Sequence, residues 1–219
     1  MIKQISVKDV FETNAYFYID ETTNHGFLID PGAEADKLLE IIKKEKLVIE
    51  KILLTHGHFD HMGAAKQISK KLNIPIYMHS EGKKYVTNPV WNLSRSCGRD
   101  IILENVRYLK DNDIIALEAN PDIILRVIYV SGHTLDSVVY YSEDKNTAFV
   151  GDIILAGSIG RSDFYGGNAS QLFIGIVQKI FSLPDNTILY SGHSKPTTVA
   201  NEKNISEYLL HNFFVNNLQ

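Results

Sequence analysis

Between Thr55 and His61 the chain reads Thr-His-Gly-His-Phe-Asp-His, which puts three imidazoles and a carboxylate into one short loop folded around a glycine. Imidazole and carboxylate are borderline ligands that suit zinc, iron or manganese, whereas calcium takes oxygen ligands alone. Side chains of an extended stretch alternate between faces, so His56 and His58 point the same way and one ion can take both. Asp60 and His61, at the start of a following helix, then aim at a neighbouring position. Four donors leave two ions under-coordinated, so others must come from elsewhere in the chain.

Three further donors follow apolar runs in a shared pattern of strand, glycine, ligand. Gly132-His133 follows Ile128-Tyr129-Val130, Gly151-Asp152 follows Ala148-Phe149-Val150, and Gly192-His193 follows Ile188-Leu189-Tyr190. Each glycine permits a sharp turn that presents the next side chain on one rim of a sheet. A lone histidine at a strand end is more often hydrogen-bonded packing than a ligand. The recurrence of the pattern beside the His56–His61 cluster instead argues for donors converging on a dinuclear site. His25 in a turn, His79 at a strand end, His211 on the last predicted helix and Cys97 have no neighbouring ligand and are read as structural.

Strands and helices alternate around these donors. The N-terminus, Ala15 to Ile19 and Gly26 to Ile29 alternate like strands, and Asp30-Pro31-Gly32 stops the pattern. Ala35, Leu38, Leu39 and Ile42 hold the spacing i, i+3, i+4, i+7, which predicts a helix over about residues 33–46. Ile52-Leu53-Leu54 is a buried strand delivering the histidine loop. Ala64, Ala65, Ile68 and Leu72 predict a helix, which Asn73 and Pro75 end before Ile76-Tyr77-Met78. Glu81 to Asn105, with Trp91, shows no period and is read as a lid or loop over the site. Strands follow at Ile123–Val130, Val138–Tyr141, Thr147–Val150 and Thr187–Tyr190. Phe173, Ile176, Val177 and Ile180 mark a helix before the last of these, and a closing helix is expected at about residues 201–211. Antiparallel groups together with strand-helix-strand units give an α/β or α+β sandwich.

The 219 residues suffice for one sizeable core, and a single domain over 1–219 is expected. With 44% hydrophobic and 22% charged residues the composition is that of a soluble globular chain. The formal net charge of -4, without any block of Lys or Arg, argues against nucleic acid as a partner. No stretch approaches the roughly 18 apolar residues of a membrane span. Cys97 is the sole cysteine and the N-terminus lacks a secretory pattern, so cytoplasmic residence is the expectation.

The motifs Thr55 to His61, Gly132-His133-Thr134, Gly151-Asp152 and Gly192-His193 resemble, in order and spacing, those of the metallo-β-lactamase superfamily. Asn14 with Tyr16, and Leu28-Ile29-Asp30-Pro31-Gly32, are similar to segments preceding the histidine loop there. Gly160-Arg161-Ser162-Asp163-Phe164, and the tail from Gly192 through Thr197-Thr198 to Glu202, are similar to small bacterial glyoxalase II-like (hydroxyacylglutathione hydrolase-like) thioester hydrolases. The resemblance implies a four-layer αββα sandwich with metals in a groove along one edge between two sheets. It also implies His56, His58 and His133 around one metal, Asp60, His61 and His193 around the other, and Asp152 bridging both. The chain departs from the family where Ser194 and Lys195 replace a usual Gly-Pro and Ser206-Glu207 an Asn-Pro. After Asp152 the basic residues are Arg161, Lys179, Lys195 and Lys203, few anchors for a glutathione carboxylate.

The expected activity is hydrolysis of a small-molecule thioester of the S-lactoylglutathione kind, or an ester, by a hydroxide bridging two divalent metal ions. Zinc is the first choice of ion, with iron or manganese as alternatives. Asp60 orients the hydroxide while also binding metal. A thiolate leaves readily because its conjugate acid has a pKa of about 8.5. Arg161, Tyr165, Asn168 and Lys195 are candidates for substrate contacts, with Asn168 alternatively capping the helix that follows. Competing readings are a sulfur (persulfide) dioxygenase with one iron on His56, His133 and Asp152, a lactonase, and a non-catalytic metal-binding module. A shared carboxylate suits an open catalytic pair better than a structural zinc, which is closed and four-coordinate. A nuclease acting on tRNA has the acidic balance against it.

Overall fold

The computed structural model describes residues 1–204. Strand β1 (Ile2–Lys8) pairs antiparallel with β2 (Glu12–Ile19), and β2 with β3 (His25–Ile29). Helix α1 (Ala35–Lys44) returns the chain to β4 (Val48–Leu53), which lies parallel to β3. Helices α2 (Phe59–Met62) and α3 (Ala65–Leu72) return it to β5 (Ile76–His79). A segment containing α4 (Lys83–Thr87) then leads to β6 (Val106–Leu109), again with parallel pairing. The first sheet has the order β1-β2-β3-β4-β5-β6.

A second sheet begins as a meander of β7 (Ile114–Ala116), β8 (Ile124–Tyr129), β9 (Val138–Ser142) and β10 (Thr147–Gly151). A small hairpin, β11 (Ile154–Leu155) with β12 (Ser158–Ile159), stands apart from both sheets. Helix α5 (Ala169–Gly175), prolonged by a π-helical turn over Ile176–Ile180, then brings β13 (Ile188–Ser191) parallel to β10. A short β14 (Thr197–Thr198) completes the order β14-β13-β10-β9-β8-β7.

Strands covered on both faces explain why the sequence shows unbroken apolar runs there. In Phe27-Leu28-Ile29, Phe27 and Ile29 join a layer between the sheets with Tyr16, Tyr140 and Phe149. Leu28 turns the other way, onto Leu38, Ile42 and Ile68 of α1 and α3. On the second sheet Ile128, Val139 and Val150 pack outward against Leu172, Ile176 and Ile180. The result is helices, sheet, sheet, helix: the αββα sandwich. Each fully buried Leu, Ile or Phe of these layers contributes about 1.5–3 kcal/mol.

Two expectations are corrected. The buried face of α5 is Leu172, Ile176 and Ile180, while Phe173 and Val177 are 41% and 43% exposed. The helix widens where the Phe181 amide donates five residues back to the Ile176 carbonyl, so a four-residue spacing and not a 3.6 period keeps one side chain per turn on the sheet. Within Glu81 to Asn105 the chain is not one loop but holds 3-10 turns and α4, and β6 follows it. Helical backbone is present over 199–204; the remainder of the expected closing helix, with Ser206-Glu207 and His211, lies outside the described residues.

Candidate metal centre

The structure brings His56, His58, Asp60, His61, His133, Asp152 and His193 to one rim, where three groups have donor atoms close enough to share an ion. These are His56 with His58 and His133, His56 with His61 and Asp152, and Asp60 with His61 and His193. The loop leaving β4 carries His56 and His58, α2 carries Asp60 and His61, and the turns that follow β8, β10 and β13 carry the rest. Gly151 turns the chain with φ +50 before Asp152. At Gly192 any Cβ would overlap Asp152 Oδ1 and His61 Cε1, so only glycine lets this strand end approach the cluster.

Hydrogen bonds from behind fix which ring nitrogens face inward. His133 Nδ1 is 2.6 Å from the Arg161 carbonyl and His193 Nδ1 is 2.8 Å from the Glu12 carbonyl. A carbonyl only accepts, so each Nδ1 carries a proton and, in the neutral ring that binds a metal, each Nε2 is the lone pair. His61 Nδ1 donates to Asp30 at 2.9 Å. The Thr55 hydroxyl donates its one proton to Asp30 at 2.6 Å and therefore accepts from His56 Nδ1 at 3.2 Å. His56 Nε2 is thereby bare as well.

The inward atoms then lie where only a cation reconciles them. His56 Nε2 and His133 Nε2 are 3.2 Å apart, and His58 Nδ1 is 3.1 Å from both. Two bare nitrogens cannot bond each other, but this spacing is close to the roughly 3.3 Å edge of a tetrahedron of nitrogens around zinc. On the other side, Asp60 Oδ2 lies 3.1 Å from His193 Nε2 and 3.8 Å from His61 Nε2. Asp152 faces both groups: Oδ1 is 3.5 Å from His61 Nε2, and Oδ2 is 3.3 Å from His193 Nε2 and 3.7 Å from His133 Nε2. His61 Nε2 and Asp152 Oδ1 are buried without a hydrogen-bond partner, as ligand atoms of an ion would be.

Electrostatics divides the cluster in the same way. Burial and the adjacent imidazoles push His56 well down and His58 down to about 3, so both stay neutral. Burial pushes the Asp152 carboxyl up, but His61 and His193 outweigh it and hold the group well below the usual carboxylate range. Burial disfavours a charged His193, yet Asp152 and Asp60 lift it to about 10. Positive charge is thus wanted between these carboxylates, and without an ion the histidines supply it as protons.

Above the donors opens a cleft of about 370 Å3 that includes Phe11, Leu93, Leu155, Ile159, Arg161 and Phe164 in its lining. Of the candidate substrate contacts, Arg161 lies on this cleft, bound to Asp163 and stacked on Phe164 with its guanidinium 4.3 Å from the ring. Tyr165 stacks on Trp91 beside it, and its carbonyl accepts from Tyr85. The Asn168 side chain caps α5 by accepting from the Gln171 amide. Lys195 lines a separate depression with Gly157 and Glu202. The segment read as a lid borders the cleft through Leu93, and its Asn92 carbonyl accepts from the Phe59 amide of α2. His25 pairs with Glu50, His79 stacks on Tyr129, and Cys97 is free and belongs to no donor group.

Sequence reasoning placed Asp30 in a turn and Thr55 at the head of the histidine motif but gave neither its role of orienting His61 and His56. Their signal was a polar residue directly ending a buried apolar run, Ile29-Asp30 and Leu54-Thr55.

A model of the metallo-β-lactamase superfamily matches residues 9–193. The chain belongs to this superfamily. Among metallo-β-lactamase relatives, a probable metallo-hydrolase, YqgX of Bacillus subtilis, is 34% identical over 90% of this chain and 92% of its own. The hydroxyacylglutathione hydrolase GloC of Haemophilus influenzae is 30% identical over 91% and 93%. The crystal structure of the B3 metallo-β-lactamase BLEG-1 matches with TM-score 0.87 and 34% identity, covering 93% of this chain and 97% of that one. TTHA1623, solved in a di-iron-bound form, matches with TM-score 0.80 and 30% identity over 92% and 96%. ETHE1 from Myxococcus xanthus matches with TM-score 0.74 and 26% identity over 93% and 81%. The metallo-β-lactamase fold binds divalent metals, and the His/Asp groups here are candidate sites. No helix among the described residues is long and apolar enough to cross a membrane.

Proposed function

We propose that the protein hydrolyses small-molecule thioesters in the cytoplasm, with two divalent ions, zinc first, held by the seven donors. His56, His58 and His133 would hold one ion, Asp60, His61 and His193 the other, with Asp152 between them. The observation that carries this reading is the set of bare nitrogens and carboxylate oxygens aimed at two adjacent positions, with the rings of His56, His61, His133 and His193 each fixed by an acceptor behind it. When bound, such ions ionise water near neutral pH and polarise a carbonyl.

The chain's own groups set up the rest. Asp60, fixed by Thr13 at 3.3 Å, accepts a hydrogen bond from the attacking water and so aims its oxygen at the acyl carbon. Phe59, Leu93 and Phe164 exclude bulk water from the cleft. As the new C–O bond forms the C–S bond breaks, and the sulfur departs with its electron pair as thiolate. That departure requires no proton in the transition state, given a thiol pKa of about 8.5, which favours thioesters over amides. The name of GloC supports the same substrate class.

The test is turnover of S-lactoylglutathione and simple acyl thioesters by protein of measured metal content, with lactones assayed beside them. Two ions per chain and activity lost in His56→Ala and Asp152→Ala are expected; wild-type turnover in either variant refutes the reading. The likeness to ETHE1 keeps one alternative in view, a single-iron persulfide dioxygenase on His56, His133 and Asp152. It leaves the Asp60, His61 and His193 group without a purpose, and one iron with oxygen consumption would establish it.

A further inference from the structure

Phe11, Leu93, Leu155, Ile159 and Phe164 line the cleft together with the donors. Phe11 is 52% exposed and Ile159, on the free-standing hairpin β11–β12, is 44% exposed. Large apolar side chains left half in water around a polar site are what a ligand's apolar part would cover.

Charge on the rim points the same way. Glutathione carries two carboxylates that need cations. Yet Arg161 is already bidentate on Asp163, with contacts of 3.0 and 2.7 Å, and the acidic Glu12 is among the lining residues. The other basic residues beyond Asp152 are engaged or elsewhere. Lys179 donates to Asp111 and the Tyr129 carbonyl, Lys203 to Asp185, and Lys195 lines the separate depression.

We infer that the cleft takes a neutral thioester with an aliphatic acyl group, the chain lying against apolar lining residues such as Leu93 and Ile159, and does not recognise the glutathionyl moiety. This rests on the hydrolase reading above and narrows its substrate class. The reaction balances as thioester and water giving carboxylic acid and thiol.

The experiment measures kcat/KM of the metal-loaded protein on acetyl, butanoyl and hexanoyl thioesters of N-acetylcysteamine, and on S-lactoylglutathione. Burial of each added methylene is expected to raise kcat/KM roughly fourfold, the equivalent of ~0.8 kcal/mol, with the hexanoyl ester well above S-lactoylglutathione. Ile159→Lys, which puts a cation on the exposed wall, is expected to lower the hexanoyl-to-acetyl ratio at least fivefold (roughly one buried methylene or more). A flat acyl series with S-lactoylglutathione preferred, or an unchanged ratio in Ile159→Lys, overturns the inference and leaves the hydrolase standing. No turnover of any thioester by protein holding two ions overturns the hydrolase reading, and this with it.

Discussion

Asp30 is not itself a candidate ligand, but it hydrogen-bonds one, His61, and replacing it by asparagine should weaken metal binding. Its carboxylate, 2% exposed, accepts from the Thr55 amide at 2.8 Å, the Thr55 hydroxyl at 2.6 Å and His61 Nδ1 at 2.9 Å. An amide has one accepting oxygen. With its NH2 in the place of Oδ2 it faces both the Thr55 hydroxyl and His61 Nδ1: donation to Nδ1 drives the ring proton onto Nε2, the atom aimed at Asp152 and Asp60, and donation to the hydroxyl reverses it and removes the acceptor of His56 Nδ1. With its NH2 in the place of Oδ1 it meets the Thr55 amide, donor against donor. Loss of such an orienting partner lowers metal affinity roughly 10–100-fold, or ~1.4–2.7 kcal/mol. The unmet buried donor should also lower stability by ~1–3 kcal/mol. Competition with a chromophoric chelator reads the affinities, and thermal unfolding in excess EDTA reads the fold separately. Asp30→Asn protein that binds both ions with wild-type affinity would show that this hydrogen-bonded layer does not set the ligand geometry.

Three other outcomes are expected. Gly192→Ala places a Cβ on Asp152 Oδ1 and His61 Cε1, and the displacement should lower kcat/KM by about 100-fold, ~2.7 kcal/mol, with metal content below two per chain by elemental analysis. Asp136 is fully buried, and burial outweighs the neighbouring Thr134 hydroxyl and Gly57 amide and pushes its carboxyl up to about 7. A carboxyl raised in the fold stabilises fully below its unfolded value near 3.8 and loses that contribution as pH rises through 7. Asp136→Asn should therefore gain on the parent protein in denaturant unfolding between pH 4 and pH 8, by up to ~4 kcal/mol at 1.36 kcal/mol per unit, and a constant difference across that range would contradict the assignment. Removing metal with EDTA should lower the melting temperature, since an ion present at 1,000 times its Kd stabilises by ~4 kcal/mol.

Much of the fold was legible because each buried strand announces itself twice, by a short apolar run and by the turn residue that ends it. The donors were legible for the same reason: His133, Asp152 and His193 each follow such a run and a glycine. The β11–β12 hairpin was not, since Ile154-Leu155 and Ser158-Ile159 are too short to show a period. Nor was the face of α5, where the π-helical turn changes the spacing that a 3.6 period assumes. The tautomers were beyond reach altogether. They depend on the carbonyls of Arg161 and Glu12, and a backbone acceptor leaves no trace in side-chain identity.

Those backbone acceptors also explain why the site lies on the seam between the sheets. His193 leaves β13 of the second sheet but donates to the Glu12 carbonyl of the first, and Asn14 and Tyr16 of β2 donate to the Ser191 carbonyl beside it. In return Tyr140 of β9 donates to the Leu54 carbonyl, and the Val138 amide to that of Thr55, just before the histidine loop. Each half of the sandwich thus holds part of the other half's donor set. Ions that draw the two donor sets together must then favour the docked sheets over any arrangement in which they slide apart. By linkage, whatever loosens the aromatic layer of Tyr16, Tyr140 and Phe149 weakens metal binding even though it lies behind the site. The rim is therefore the position in this fold where ligand geometry and sheet packing stabilise each other.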